Sequence, residues 1–207
     1  MRCFPVCMDV EEGFVVLAGT GKHAREKLNK LLPYGCRIDL YAGSGFEDAQ
    51  TLPNVRLIRR ELRTEDLMPA PVFVVCADLP REKAEEISRF CRENRIPVNV
   101  VDVPELCSFY FPALITKGAL TVAISTDGKG PAAATLLRRW IEPQLPDRME
   151  EILEWSGELR QQLKQEVPDG RLRAAVLREW MKAAMKQNRP LTEQETEEIR
   201  KDVIQKW

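Results

Sequence analysis

Short apolar runs broken by glycine or proline fill the first half of the 207-residue chain, and helical periodicity fills the second. Residues 14–18 (FVVLA) are continuously apolar, as a strand covered on both faces must be. The run stops at Gly19-Thr20-Gly21. Ala24, Leu28, Leu31 and Leu32 then recur at spacings of three and four, the period of a helix over 22–33. Residues 36–42, 55–59, 71–77 and 97–101 read as further strands. Pro80 opens a charged, amphipathic helix over 81–94, and FPVCMDV within residues 1–12 reads as a lead-in strand. Strands alternating with helices place residues 1–112 in the α/β class, as an open, Rossmann-like doubly wound parallel sheet.

The pattern changes after residue 112. Residues 113–116 and 120–125 predict two strands around Lys117-Gly118. The turn Thr126-Asp127-Gly128-Lys129-Gly130 leads to Pro131, which suits the first turn of a helix continuing to 145, with Pro143 placed to kink or end it. Helices are predicted over 147–166, 171–187 and 192–206, separated by Pro168-Asp169-Gly170 and Asn188-Arg189-Pro190. Thr192 and Glu195 have capping-box spacing. Trp140, Trp155, Trp180 and Trp207 all fall in this half and read as core or interface residues.

Composition narrows the choice of partner. With 44% hydrophobic and 30% charged residues the chain resembles an ordinary globular protein, and a formal net charge of −1 offers no field to nucleic acid. No apolar run approaches the roughly 18 residues of a membrane span. The N-terminus turns acidic early, without the apolar stretch of a secretory signal, so a cytoplasmic location is expected. The six cysteines form no CxxC pair and read as reduced thiols, with no metal site expected. Arg56, Arg59, Arg60 and Arg63 read as a solvated strand edge and turn.

The chemistry begins at the glycine turn. Gly19, Gly21 and Ala24 have G-x-G-x-x-A spacing between a strand and a helix, the context of a dinucleotide-binding turn. Gly19 would allow the tight turn, Gly21 the close approach of a pyrophosphate, and Ala24 the packing of helix on strand. With Thr20, Lys22 and His23 they form the predicted cradle, and the free N–H groups of the first helical turn would face the phosphates. Ala42 and Gly43 would border the adenosine. Asp39 follows Gly21 by 18 residues but lies inside its strand, short of the end where a ribose-binding acid belongs. No arginine follows that strand directly, which leans to NAD over NADP. Asp102 stands just beyond the carboxyl end of a predicted parallel strand, where open α/β sheets place ligands. A carboxylate there can accept the proton that a dehydrogenation releases. Asn99, within the same strand, either orients cofactor or substrate through its amide or satisfies backbone in the core. His23 is the only histidine, and at the first turn of the helix it reads as packing or a local hydrogen bond.

Three stretches, VVLAGTGKHAREKLNKLL, PVNVVDVPELCSFYFPALI and LTVAISTDGKGPAAATLLRRWIE, occur in this order and together resemble the siroheme-synthase family. Its members are precorrin-2 dehydrogenases, and some are also sirohydrochlorin ferrochelatases. The resemblance implies an NAD-binding domain over 1–112, a small dimerisation region over 113–146 and a helical domain over 147–207. It implies a homodimer with the tetrapyrrole in the cleft between domains, Asp102 as the functional carboxylate, and ferrous iron as a second substrate where chelation is retained. Lys117, Lys129, Arg138 and Arg139, with Ser125 and Thr126, fall where the resemblance places contacts to the carboxylates of precorrin-2. The chain departs from the family pattern at Thr20, at Gly130, at His23, where an aliphatic residue is common, and at Ala77-Asp78-Leu79-Pro80. Two rival readings are an NAD-binding sensor or dimeric binding module without tetrapyrrole chemistry, and a dehydrogenase of a small metabolite. The second expects a conventional catalytic His or Lys beside a substrate-binding Arg.

Overall fold

A parallel strand that is apolar on both faces needs a covering layer on each side, and the first part of this chain supplies both. In the computed structural model, residues 3–207 are described, and they group into two units, 3–111 and 112–207. The first unit runs β1 (Phe14–Ala18), α1 (Lys22–Leu31), β2 (Arg37–Tyr41), β3 (Val55–Ile58), β4 (Phe73–Cys76), α2 (Arg81–Glu93) and β5 (Val98–Val100). All strand pairings are parallel, in the order β3-β2-β1-β4-β5. β1 splits its residues between two cores. Val15 and Leu17 pack with Ala24, Leu28 and Leu31 of α1. Val16 and Ala18 pack with Ala84, Ile87 and Cys91 of α2.

The chain winds from β1 outward to β3, then crosses back to place β4 on the other side of β1. The carboxyl ends of β1 and β4 therefore flank the point where strand order reverses, and ligands of open α/β sheets bind in that crevice. Between β2, β3 and β4 the connections are short 3₁₀ turns, Glu47–Thr51 and Thr64–Leu67, rather than full helices.

The second unit begins with an antiparallel hairpin, β6 (Ala113–Lys117) and β7 (Leu120–Ile124). Four helices follow: α3 (Pro131–Ile141), α4 (Met149–Glu166), α5 (Gly170–Gln187) and α6 (Glu193–Gln205). Asp169 caps α5 by accepting from the N–H groups of Arg171 and Leu172, and Thr192 and Glu195 form the expected capping box on α6. Trp180 is buried against Trp155 and donates its indole N–H to the Thr196 carbonyl at 2.8 Å. Trp140 and Trp207 remain exposed.

The lead-in strand is not formed. Residues 1 and 2 lie outside the described residues, and residues 3–10 carry no regular structure and are largely exposed. The edges of the first-unit sheet, β3 and β5, are left unpaired by this segment. The strand predicted over 71–77 contracts to Phe73–Cys76, since Pro71 has no N–H to donate to a ladder. The helix predicted to 145 ends at Ile141 in a 3₁₀ turn, Glu142–Gln144, that contains Pro143.

The turn after β1 is packed to its limit. Gly19 has φ +147°, and a Cβ built on it would lie 1.8 Å from the Ala77 carbonyl oxygen. Gly19→Ala should therefore cost at least about 3 kcal/mol, through strain and displacement of the β4 end. Gly43, whose Cβ would meet nothing within 4 Å, is the control. Gly43→Ala should stay within about 0.5 kcal/mol of the parent. Urea unfolding of both variants checks the contrast, and equal midpoints would contradict this account of the turn.

Candidate active site

Two aspartates mark the carboxyl edge of the sheet. Asp78 follows β4 and Asp102 follows β5, both with left-handed backbone, φ +59° and +62°. Asp tolerates that region better than most residues. A cleft of about 230 Å³ lies between them, with His23, Arg81 and Val100 also in its walls.

The loop carrying Asp102 is pinned by a thiol. Cys107 is buried, donates to the Val100 carbonyl at 3.1 Å and accepts from the Val100 N–H at 3.2 Å. The Val103 N–H closes the turn on the Val100 carbonyl. Burial pushes the Cys107 thiol up, so it stays protonated and can donate. The sequence marks Cys107 only as one of six reduced thiols, and nothing in its spacing announces this clamp. Burial likewise pushes Cys91 up to about 12 and Cys76 higher still.

Asp78 reaches across to the start of α1. Its Oδ2 accepts from the backbone N–H groups of His23 at 3.0 Å and Ala24 at 3.2 Å. Its Oδ1 lies 2.7 Å from His23 Nδ1. Burial alone would raise the Asp78 carboxyl, but the bonds from His23 and Ala24 outweigh it and hold the group below the usual carboxylate range. The same contact raises His23 above its ordinary 6.5, first through the hydrogen bond and charge of Asp78, with smaller contributions from Asp102 and Glu26. His23 Nε2 points on to Asp102, 4.0 Å from its Oδ2.

This corrects the expectation for the glycine turn. A Cβ on Gly21 would come within 2.4 Å of Asp78 Oδ2, so the group pressed against this glycine is a protein carboxylate, not an open space for pyrophosphate. Two first-turn N–H groups are likewise already bonded, to Asp78. Among the described residues no partner takes the N–H groups of Thr20, Gly21 and Lys22. Three consecutive free donors at a helix N-terminus suit a phosphate. The residues present therefore fit the phosphates of a nicotinamide dinucleotide, which Thr20, Gly21 and Lys22 would hold through their backbone. Ala24 is fully buried and packs against Gly19, as a third small position should. Ala42 is buried and bonded to the Ile58 carbonyl, while the open faces of Gly43 and Gly45 lie along the same loop. Arg25 of α1 stacks over Phe46 and pairs with Asp48, drawing that loop down on the helix.

Other predicted residues have local duties. Asp39 is buried and paired with Arg56, which removes it from ribose binding. Arg59 and Arg60 are likewise paired, with Glu47 and Asp66, so the cluster is an ion-pair network and not merely a solvated edge. Asn99 is 5% exposed and donates to the Phe109 carbonyl at 3.0 Å. Its Oδ1 is buried without a partner among the described residues, so Asn99 supports the segment after β5 from inside. In the second unit, Lys117 donates to the carbonyls of Leu145 and Pro146 at 3.2 Å. The hydroxyls of Ser125 and Thr126 accept from the N–H groups of Asp127 and Gly130, shaping the turn before α3. Arg138 pairs with Glu142, and Lys129 is exposed. Among the described residues no group of three or more His, Cys, Asp or Glu is arranged to hold a metal ion, and no helix is long and apolar enough to cross a membrane.

Comparison with known proteins agrees with the architecture. A family model described as putative NAD(P)-binding matches residues 6–113, just over half of the chain. A second, described as sirohaem biosynthesis protein central, matches residues 117–144. A siroheme synthase of Methylococcus capsulatus is 31% identical over 175 residues, covering 84% of this chain and 37% of that protein. The siroheme biosynthesis protein met8 of Schizosaccharomyces pombe is 38% identical over 110 residues, 53% of this chain and 42% of that one. The chain thus spans well under half the length of these curated relatives. A solved structure titled SirC, precorrin-2 dehydrogenase, shares the fold, with a TM-score of 0.73 at 18% identity over 98% of this chain and 100% of that one. With a nicotinamide-dinucleotide fold in its first unit and a sirohaem-biosynthesis match in its second, the chain belongs to the siroheme-synthase family.

Proposed function

We propose that the chain oxidises precorrin-2 to sirohydrochlorin with NAD as the hydride acceptor. One observation carries this reading: an exposed carboxylate, Asp102, lines a cleft beside the switch point in the unit that offers free phosphate-binding N–H groups at Thr20, Gly21 and Lys22. The bound nicotinamide supplies the electron sink for the hydride. The chain's own residues supply the rest. The glycine turn fixes the dinucleotide by its phosphates, and Asp102 takes the substrate proton on a carboxylate oxygen. Arg81 in the cleft wall offers a cation to a carboxylate-rich substrate, although it already bonds Glu85 and Glu105. Ser125, Thr126 and Lys129 are assigned to further substrate carboxylates, and Lys117 to holding their hairpin in place.

The active form in this reading is a cytoplasmic homodimer. Leu136, Leu137 and Trp140 leave an apolar face exposed on α3, inside the segment matched by the sirohaem model. A second copy would cover it, with residues 113–146 as the dimerisation region and 147–207 as a helical domain. Metal insertion is the second half of the proposal, since Asp102 can also take a pyrrole proton displaced by ferrous iron.

Anaerobic mixing of enzyme, NAD and precorrin-2 should produce the absorbance of sirohydrochlorin. No turnover at micromolar enzyme overturns the assignment. Ferrous or cobaltous ion added to sirohydrochlorin should be inserted faster with enzyme than without, and equal rates confine the chain to dehydrogenation. Asp102→Asn should lower kcat at least about 100-fold while leaving the NAD dissociation constant within about twofold. A variant with the parent rate removes Asp102 from proton transfer.

A further inference from the structure

We propose that His23, held by Asp78, is the proton relay that empties Asp102, so that Asp78, His23 and Asp102 form one line from helix α1 to the substrate. The inference rests on the dehydrogenase reading and adds to it a positioning pair, since neither His23 nor Asp78 needs to touch the substrate.

The geometry fixes each role. Asp78 is a carboxylate held low, and a carboxylate only accepts, so the proton at the 2.7 Å contact belongs to His23 Nδ1. In the neutral ring Nε2 then carries the lone pair, and Nε2 is the atom directed at Asp102, 4.0 Å away. Asp78 cannot swing freely, because its other oxygen is tied to the His23 and Ala24 N–H groups and lies against Gly21. The imidazole is therefore aimed by the start of the helix. Asp102 has 80% of its side chain exposed, and that open side is where a substrate must sit to be deprotonated. A tetrapyrrole seated there would cover Asp102, and His23, with 44% of its side chain exposed, offers the proton a way to water.

The step balances without any further reactant. The substrate loses a hydride with its electron pair to the oxidised nicotinamide and a proton to Asp102. The protonated Asp102 passes that proton to His23 Nε2 through one water bridging the 4.0 Å between them, which restores the carboxylate and leaves an imidazolium paired with Asp78. The imidazolium gives the proton to water from Nε2, and the ring returns to its starting tautomer. Because the relay needs neutral imidazole, the rate should rise with pH through the His23 titration. The charges facing the ring are Asp78 from the end of β4, Asp102 from the end of β5 and Glu26 from α1, with Arg81 of α2 in the same cleft. The three acids favour imidazolium and place the titration above 6.5. The linked stability runs the opposite way: it is complete below 6.5 and lost as pH rises through the folded value.

A single histidine makes this measurable without substrate or cofactor. In ¹⁵N-labelled, untagged protein, the imidazole signals should show the Nδ1–H tautomer when neutral. Asp102→Asn should lower the titration point, and Asp78→Asn should lower it further and release the tautomer. An unmoved titration in Asp102→Asn overturns the relay, whatever the activity. In the dehydrogenase assay, the pH profile of kcat/KM should inflect at the point found by NMR. His23→Gln, which leaves the Asp78 cap on α1 intact, should lose that inflection and slow turnover about tenfold or more, with NAD affinity kept within about twofold. A parent-like rate and profile in His23→Gln overturn the relay and send the proton from Asp102 directly to water. No turnover by the parent enzyme counts instead against the substrate assignment, and the titration arm keeps the two failures apart.

Discussion

The closeness of the β1–α1 turn to the end of β4 governs the whole carboxyl edge of the first unit. Gly19 lets the turn lie against the Ala77 carbonyl, and Gly21 lets the Asp78 carboxylate touch the first turn of α1. With any side chain at either position the two edges would move apart. That contact brings the helix's positive end and an anion together. It also spends two of the N–H groups that a simple dinucleotide cradle would keep free. What remains for phosphate is the stretch from Thr20 to Lys22, one step back along the turn. The site is thus divided between a protein anion and a ligand anion, and His23 is placed where it can balance the first.

Most of the sheet was legible because its strands are buried on both faces. Continuous apolar runs at 14–18 and 71–77 leave little choice but a covered parallel strand. The lead-in segment misread as a strand has a similar local look, but a strand needs a partner ladder, and residues 3–10 join neither open edge of the sheet. The capping box at Thr192 and Glu195 was readable since its partners are three residues apart. Asp39 shows the opposite case. Its spacing from Gly21 hinted at a ribose ligand and its place within the strand argued against it; the Arg56 pairing across β2 and β3 settles the matter.

The candidate site was legible as separate residues and not as an arrangement. Asp102 was readable from position alone, as a carboxylate just past a strand end. His23 and Asp78 are 55 residues apart, and the sequence offers the first as a cradle or packing residue and the second only within a departure from the family pattern. The structure makes them a single feature, with the imidazole held on the carboxylate at 2.7 Å. Cys107 was missed for a similar reason: a thiol that bonds backbone looks, in sequence, like any small apolar residue.

The left-handed backbone at both Asp78 and Asp102 bears on how such an arrangement stays in place. Each conformation costs free energy that the surrounding contacts must offset. At Asp78 the offset comes from the helix N–H groups and His23; at Asp102 it comes from the Cys107 clamp and the turn closed by Val103. The two carboxylates are held by different elements, so their separation is set by the pairing of β4 with β5 and not by either loop alone. Among the described residues, His23 is the group that reaches both. A change that loosens β5 would open the gap between the aspartates and uncouple the ring from Asp102, while its bond to Asp78 stayed intact.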